Sequence, residues 1–182
     1  MKTIVLICHP HMEQSVVNRQ LAAAINHTHN ITVRYLYDLY PNFEINIKLE
    51  QQLLETFDRI VFQFPFYWYS APSLLREYLD QVLTYGWAYG EAGNALKGKE
   101  CLLAVTCGAH EAGFSAKGKV HYTVTDLLRP FQATCRYVGM KYLTPFIIYD
   151  TVHLTQIQLD KHCIHYRSLL QNSTLPLLGI YD

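Results

Sequence analysis

Strand-like and helix-like segments alternate along the whole of this 182-residue chain, and the alternation predicts an α/β fold built on a doubly wound, five-stranded parallel sheet. Three observations carry the prediction. The strand segments are continuous apolar runs, as expected of strands covered on both faces. The segments between them place apolar residues at helical spacing. No repeat, low-complexity tract or linker interrupts the series, so residues 1–182 are expected to form one domain.

Thr3–Cys8 (TIVLIC) is the first strand, and Val17, Leu21, Ala24 and Ile25 mark a helix beginning after Ser15. Ile31–Tyr37 is the second strand; Leu49, Leu53 and Phe57 mark the next helix, and Arg59–Phe64 the third strand. The clearest helix follows. Leu74, Leu75, Tyr78, Leu79, Val82 and Leu83 form one apolar stripe, with Arg76, Glu77, Asp80 and Gln81 opposite. Ser70 and Pro72 suit its start and Gly86 its stop. Cys101–Thr106 is the fourth strand, Thr125–Val138 a helix containing Pro130, Phe146–Asp150 the fifth strand, and Thr155–Leu170 the last helix. Right-handed crossovers between parallel strands suit the flavodoxin-like order, whose ligands bind beyond the carboxyl ends of strands one and three.

Composition excludes several classes. Lys+Arg and Asp+Glu are both 15, so the basic excess of a nucleic-acid-binding protein is missing, as is the acidic surface of a carrier that docks by charge. Five cysteines without a CxxC pair argue against a disulfide framework and for a reducing cytoplasm. The opening MKTIVLICHP is too short in its apolar run for a signal sequence, and no stretch approaches the ~20 apolar residues of a membrane span. The pair in HCIH, His162 and His165, lacks a third ligand at suitable spacing, so no metal site is expected.

Three loops then share one edge of the sheet. HPHMEQSVVN (9–18) puts Ser15 before a helix, either as an ordinary cap or as part of an anion site at the positive helix end. Neither GxGxxG nor GxxxxGK[ST] occurs. After strand three come Phe66, Tyr67, Trp68 and Tyr69 between Pro65 and Pro72. They form either a hydrophobic turn in an interface or the wall of a slot for a planar ring. TCGAHEAGF (106–114) is either a simple turn or a segment whose small residues let backbone N–H groups approach a ligand. The long stretch YGWAYGEAGNALKGK (85–99), with Trp87 and Tyr89, would either cover a bound ring or anchor a subunit contact.

Taken jointly, FQFPFYWYSAPSLLREYLDQVLTYGWAYG, the HP….S..N before it and the TCGA after it resemble the NAD(P)H:quinone oxidoreductases, flavodoxin-like flavoproteins, from Ile4 to about Tyr166. YPNFEIN, WYSAPSLL and GWAYG…AL.GK are most similar to the ancillary subunits of glutathione-gated potassium-efflux (Kef-type) systems. The resemblance implies a homodimer holding FMN, with FAD as the alternative. It also implies ping-pong, two-electron transfer from NADPH or NADH to quinones or related electrophiles. Carried over by position, His9, Ser15, Val17 and Asn18 would hold the phosphate side. Pro65, Phe66, Tyr67 and Trp68 would line the isoalloxazine, and Thr106, Cys107, Gly108 and Ala109 its pyrimidine edge. Tyr89 would reach the substrate pocket from the partner subunit; Asp80, on the polar face of its helix, reads either as a solvated residue or, by the resemblance, as an acidic residue near the subunit boundary.

The departures fall in the third loop. Cys107 and Ala109 interrupt a Thr-Thr-Gly-Gly pattern, which weakens a hydroxyl donor and adds a Cβ where the backbone is expected to need freedom. Phe114 replaces the tyrosine of a proton relay, and His121 matches its histidine only after a gap, with a surface histidine as the rival reading. Cys107 reads as a ring contact in preference to a redox thiol. The competing function is regulatory: a cytoplasmic subunit held at the inner face of the membrane by a potassium-efflux transporter, with the flavin as sensor. A one-electron flavodoxin carrier fits less well, given the neutral charge and the aromatic loop.

Overall fold

The structure, a computed structural model, describes residues 1–179. In chain order its elements are β1 (Thr3–Ile7), α1 (Val16–Ile25), β2 (Ile31–Tyr35), α2 (Leu36–Leu39), α3 (Ile47–Glu55), β3 (Arg59–Pro65) and α4 (Ser73–Val82). They continue with β4 (Glu100–Thr106), α5 (Val124–Leu127), α6 (Arg129–Tyr137), β5 (Lys141–Tyr142), β6 (Phe146–Ile148) and α7 (Gln156–Gln171). Short 3-10 turns occupy Met12–Gln14 and Glu111–Gly113. The strands form one parallel sheet in the order β2-β1-β3-β4-β5, with β6 also pairing to β4. This is the flavodoxin-like arrangement expected from the sequence.

Side-chain alternation splits the core between the two faces of the sheet. Ile4, Leu6, Ile60, Phe62, Phe64, Leu103 and Val105 pack against α4 and α6. Val5, Ile7, Val61, Leu102 and Ala104 pack against α1 and α7. Burial on both sides explains why β1 and β3 read as unbroken apolar runs.

Four expectations change in detail. The second strand ends at Tyr35, where the chain turns into α2. The helix expected over 125–138 breaks at Leu128, because Pro130 has no N–H to give and fits only the first turn of a new helix, α6. The fifth strand, expected over Phe146–Asp150, ends at Ile148, and a second short strand, β5, lies beside β4 before it, with Pro145, which has no N–H for the ladder, between the two. The stripe of α3 is rotated by one residue: Leu49 is exposed, whereas Glu50 and Leu54 are buried. Glu50 tolerates burial because Arg34, the Tyr40 hydroxyl and the Tyr78 hydroxyl (2.9 Å) all donate to its carboxylate. Burial, the bond to Glu50 and its charge push the Tyr40 phenol up to about 12.

A second buried charge ties the last helix to the sheet. Arg59 donates to Glu100 (2.7 Å) and to the carbonyls of Leu170 and Asn172 at the end of α7, where a cation is favourable. No helix among the described residues is long and apolar enough to cross a membrane.

Candidate functional site: a two-part cleft at the carboxyl edge of the sheet

The loops after β1, β3 and β4 leave the sheet side by side, held by backbone bonds that prolong the ladder past the strand ends. Cys8 N donates to Gln63 O (2.8 Å), Phe66 N to Thr106 O (2.8 Å) and Cys107 N to Ile148 O (2.7 Å). Between the loops lie two cavities that share Phe66 and Gly108 as lining. The larger, about 410 Å³, is bounded by the start of α1, Pro65–Tyr67 and Thr106. The smaller, about 200 Å³, is walled by Phe66, Trp68, Tyr69 and Phe114 over Cys107–Ala109. Every residue expected to hold a flavin lines one or the other. His9, Ser15, Val17, Asn18, Tyr67 and Thr106 belong to the larger, Trp68, Cys107 and Ala109 to the smaller.

The larger cavity is lined by neutral hydrogen-bond donors of the kind that suit an anion. Ser15 caps α1 by accepting from Asn18 N (3.3 Å), which leaves its own hydroxyl proton to give. The N–H groups of Val16 and Val17, in the first turn, have no helical acceptor. No lysine or arginine lines the space. The His11 N–H donates to His9 Nδ1 (3.1 Å), so a neutral His9 carries its proton on Nε2. Burial and the neighbouring His11 hold that imidazole below the usual histidine range, outweighing the pull of Glu13.

The smaller cavity owes its shape to a strained turn. Tyr67 and Ser70 exchange two backbone bonds (3.0 and 2.9 Å), leaving Trp68 and Tyr69 as the two residues of a tight hairpin. Both have positive φ, 44° and 64°. Phe66 meets Tyr69 edge-on at 6.4 Å and Phe114 at a tilt at 6.0 Å, and Phe114 in turn packs on Tyr149 (6.0 Å). Burial, together with Cys107 and Glu111, raises the Tyr149 phenol to about 12. Cys107 is buried and its thiol is pushed up to about 12 by that burial, so it holds no thiolate for redox chemistry. Ala109 is outside the positive-φ region, so its Cβ costs no left-handed strain. A Cβ added to Gly108 would meet only Val152, at 3.9 Å, so protein packing gives no reason for glycine there, and the floor is open to a flat ligand. The donor set and the apolar slot therefore fit a flavin: neutral donors for a phosphate tail at one end, aromatic walls at the other.

Two candidates lie elsewhere. Tyr89 lines a separate groove of about 470 Å³ between α4 and α6, with Arg76, Asp80 and Tyr137. Its ring packs on Tyr85 (5.8 Å) and Tyr137 (5.3 Å). The exposed His121 lines neither part of the cleft, and its Nδ1 faces the carbonyl of Ala116 (3.1 Å). Sequence reasoning missed Thr151, which lines the larger cavity from the loop after β6. Its position just beyond the carboxyl end of β6, which pairs to β4, was the available signal. At the rim, the Asp150 carboxylate accepts from His153 Nδ1 (2.6 Å) and His110 Nε2 (3.3 Å). Among the described residues no three metal-ligating side chains converge.

Residues 1–170 match a protein family described as having a flavodoxin-like fold. An NAD(P)H oxidoreductase of Bacillus subtilis, YrkL, is 50% identical over 86% of this chain and 90% of its own. The potassium-efflux ancillary protein KefG of Erwinia tasmaniensis is 43% identical over 98% and 97%. Among solved structures, general stress protein 14 of Treponema denticola, in complex with FMN, superposes with a TM-score of 0.90 at 41% identity, covering 93% of this chain and 98% of that one. An NADPH-quinone reductase of P. pentosaceus superposes with a TM-score of 0.88 at 32% identity, covering 96% and 100%.

Proposed function

Because the chain belongs to the flavodoxin-like family of NAD(P)H oxidoreductases, we propose that it is an FMN-dependent NAD(P)H:quinone oxidoreductase working by two-electron, ping-pong transfer. One observation carries this reading: a cleft at the switch point of the sheet with a neutral phosphate cradle at one end and a ring-sized aromatic slot at the other. The NADPH-quinone reductase and the FMN complex among its structural relatives support the choice of acceptor and cofactor.

When bound, FMN supplies the hydride-accepting and hydride-donating centre. The chain supplies the rest. The Ser15 hydroxyl and the N–H groups of Val16 and Val17 hold the phosphate, with Thr106 beside them. Phe66, Trp68 and Tyr69 wall the ring and keep water off it. The N–H groups of Gly108 and Ala109, free of protein acceptors among the described residues, would donate to the pyrimidine edge of the ring. Nicotinamide and quinone occupy the same open side in turn, held at reacting distance by the slot. No side-chain acid or base is required for the hydride steps.

We place Tyr89 at the slot of a second copy, because it stands apart from the slot of its own chain. Arg76 and Asp80 border the same groove one helical turn apart, and a two-fold axis there would set each against the other. The second reading, a regulatory subunit held at the inner membrane face by a potassium-efflux transporter, is favoured by the likeness to KefG. Purified protein should be yellow, release FMN on denaturation and oxidise NADPH or NADH with a quinone acceptor. Protein that stays colourless after incubation with FMN and with FAD would refute the flavin reading. A yellow protein without turnover, whose loss abolishes efflux, would favour the regulatory one.

A further inference from the structure

A buried row of four polar side chains runs from α7 along the α1/α7 face of the sheet to the cleft. Tyr166 and Gln63 are 0% exposed, Asn18 is 2% exposed and Thr106 6%. The Tyr166 hydroxyl lies 3.1 Å from Gln63 Oε1. Gln63 Nε2 lies 3.0 Å from the Asn18 carbonyl and 3.3 Å from Asn18 Oδ1. Asn18 Nδ2 lies 2.9 Å from Thr106 Oγ1.

The direction of this row is set by one group that cannot be reversed. A backbone carbonyl only accepts, so the Gln63 amide must turn its NH₂ toward Asn18. Its Oε1 then faces Tyr166 and takes that hydroxyl proton. The same NH₂ holds Asn18 Oδ1, so the Asn18 NH₂ must face Thr106. Thr106 Oγ1 therefore accepts, and its own proton meets no protein acceptor among the described residues. That hydroxyl lines the larger cavity.

We propose that Gln63 is a positioning residue: by fixing the orientation of Asn18 it commits the Thr106 hydroxyl to donate into the cleft, toward an acceptor oxygen of the bound flavin. The inference rests on the flavin reading for its ligand, but the direction of the row is a property of the chain alone. A reversed row would spend the Thr106 proton on Asn18 Oδ1 and leave a lone pair facing the ligand oxygen.

The test is an FMN titration of flavin-free protein, followed by fluorescence quenching, combined with side-chain amide NMR. Thr106→Val should lower FMN affinity about tenfold, the loss of one hydrogen bond, while Thr106→Ser keeps it. Gln63→Glu, whose buried neutral carboxyl has a single proton and gives it to the Asn18 carbonyl, leaves Asn18 Oδ1 without its donor, and should turn the Asn18 amide round and lower affinity about as much. The double variant Gln63→Glu/Thr106→Val should lose no more than Thr106→Val alone. Tyr166→Phe should lower the melting temperature yet leave FMN affinity within about twofold, because the Asn18 carbonyl, not the phenol, sets the direction. Wild-type affinity in folded Gln63→Glu, additive losses in the double variant, or equal losses from Tyr166→Phe would each overturn the proposal.

Should Gln63→Glu fail to fold, the neutral Gln63→Met serves. In flavin-free wild type the Asn18 NH₂ protons should show nuclear Overhauser contacts to the Thr106 methyl, and in Gln63→Met these should weaken; unchanged contacts overturn the proposal. If the wild type binds no FMN, the flavin reading falls, and these contacts decide the direction of the row by themselves.

Discussion

Replacing Trp68 by asparagine should make the flavin-free protein more stable and a poorer binder of FMN. Trp68 and Tyr69 occupy the two central positions of a tight hairpin with φ of 44° and 64°. Such positions favour Asn and Gly, and a bulky L-residue there costs about 1–2 kcal/mol. Asparagine avoids most of that cost because its short polar side chain bonds locally. Trp68 is 91% exposed, so its removal gives up almost no buried surface. The net change is a gain of about 1 kcal/mol, which for a chain of this size raises the melting temperature by about 2–4 °C. Calorimetry on protein stripped of flavin reads that shift directly. In parallel, FMN affinity should fall at least tenfold, as expected when an aromatic stacking partner worth about 1–3 kcal/mol is lost. A melting temperature that stays level or drops would mean the turn stores no strain, and the argument that its geometry is held for a ligand would fail.

Thiol titration of the native protein near pH 8 should detect Cys163 alone, since Cys8, Cys101, Cys107 and Cys135 are buried and burial pushes Cys8 and Cys107 up to about 12. All five cysteines should react after unfolding, and rapid reaction of a second thiol in the native state would contradict the burial argument. Glu50→Ala should cost about 3–5 kcal/mol in urea denaturation, because Arg34, Tyr40 and Tyr78 lose their common acceptor; a loss under about 1 kcal/mol would show that the three donors find other partners. The flavin-free protein should lose stability as pH falls below about 6.5, because His9 is held below that value when folded and the unfolded chain then binds the extra proton. His162, lowered by burial and by His165, acts in the same direction. His9→Asn should flatten part of that slope, and parallel pH profiles for variant and wild type would count against it.

The sheet was legible because both-face burial makes parallel strands apolar throughout, and TIVLIC and RIVFQF carry that mark without ambiguity. The last helix, expected over Thr155–Leu170, was legible to within a residue, since Thr155 caps α7. What could not be read depended on distant partners. Glu50 looks like a surface residue until Arg34 and two tyrosines from other elements meet it. Gln63 sits in an apolar strand with nothing local to say that an Asn18 carbonyl awaits its amide. Tyr89 and the cleft cannot be separated by spacing, since only the packing of α4 on α6 puts them apart. The residues expected at the site line one cleft because the carboxyl edge of a doubly wound sheet gathers the loops after its central strands.

That gathering also explains why the departures in the third loop do not undo the slot. Cys107 turns its thiol into the core and its N–H and carbonyl are taken by Ile148 and Thr151, so the donors this loop can turn to the cleft are the N–H groups of Gly108 and Ala109. Ala109 adopts a conformation open to any L-residue, so the missing glycine costs nothing in backbone freedom. Phe114 fills the space between Phe66 and Tyr149, extending the wall with a ring that cannot carry a proton. Each substitution alters a side chain where the site is built from main-chain N–H groups and flat apolar surface. Cofactor binding should therefore survive all three, whereas any proton needed by the reduced acceptor must enter by another route than the position of Phe114. Phe114→Tyr separates the two effects: FMN affinity should stay within about twofold, since wall and backbone are unchanged, and only the pH dependence of turnover should move. A large loss of FMN affinity in that variant would show that the wall, and not the relay, is what phenylalanine serves.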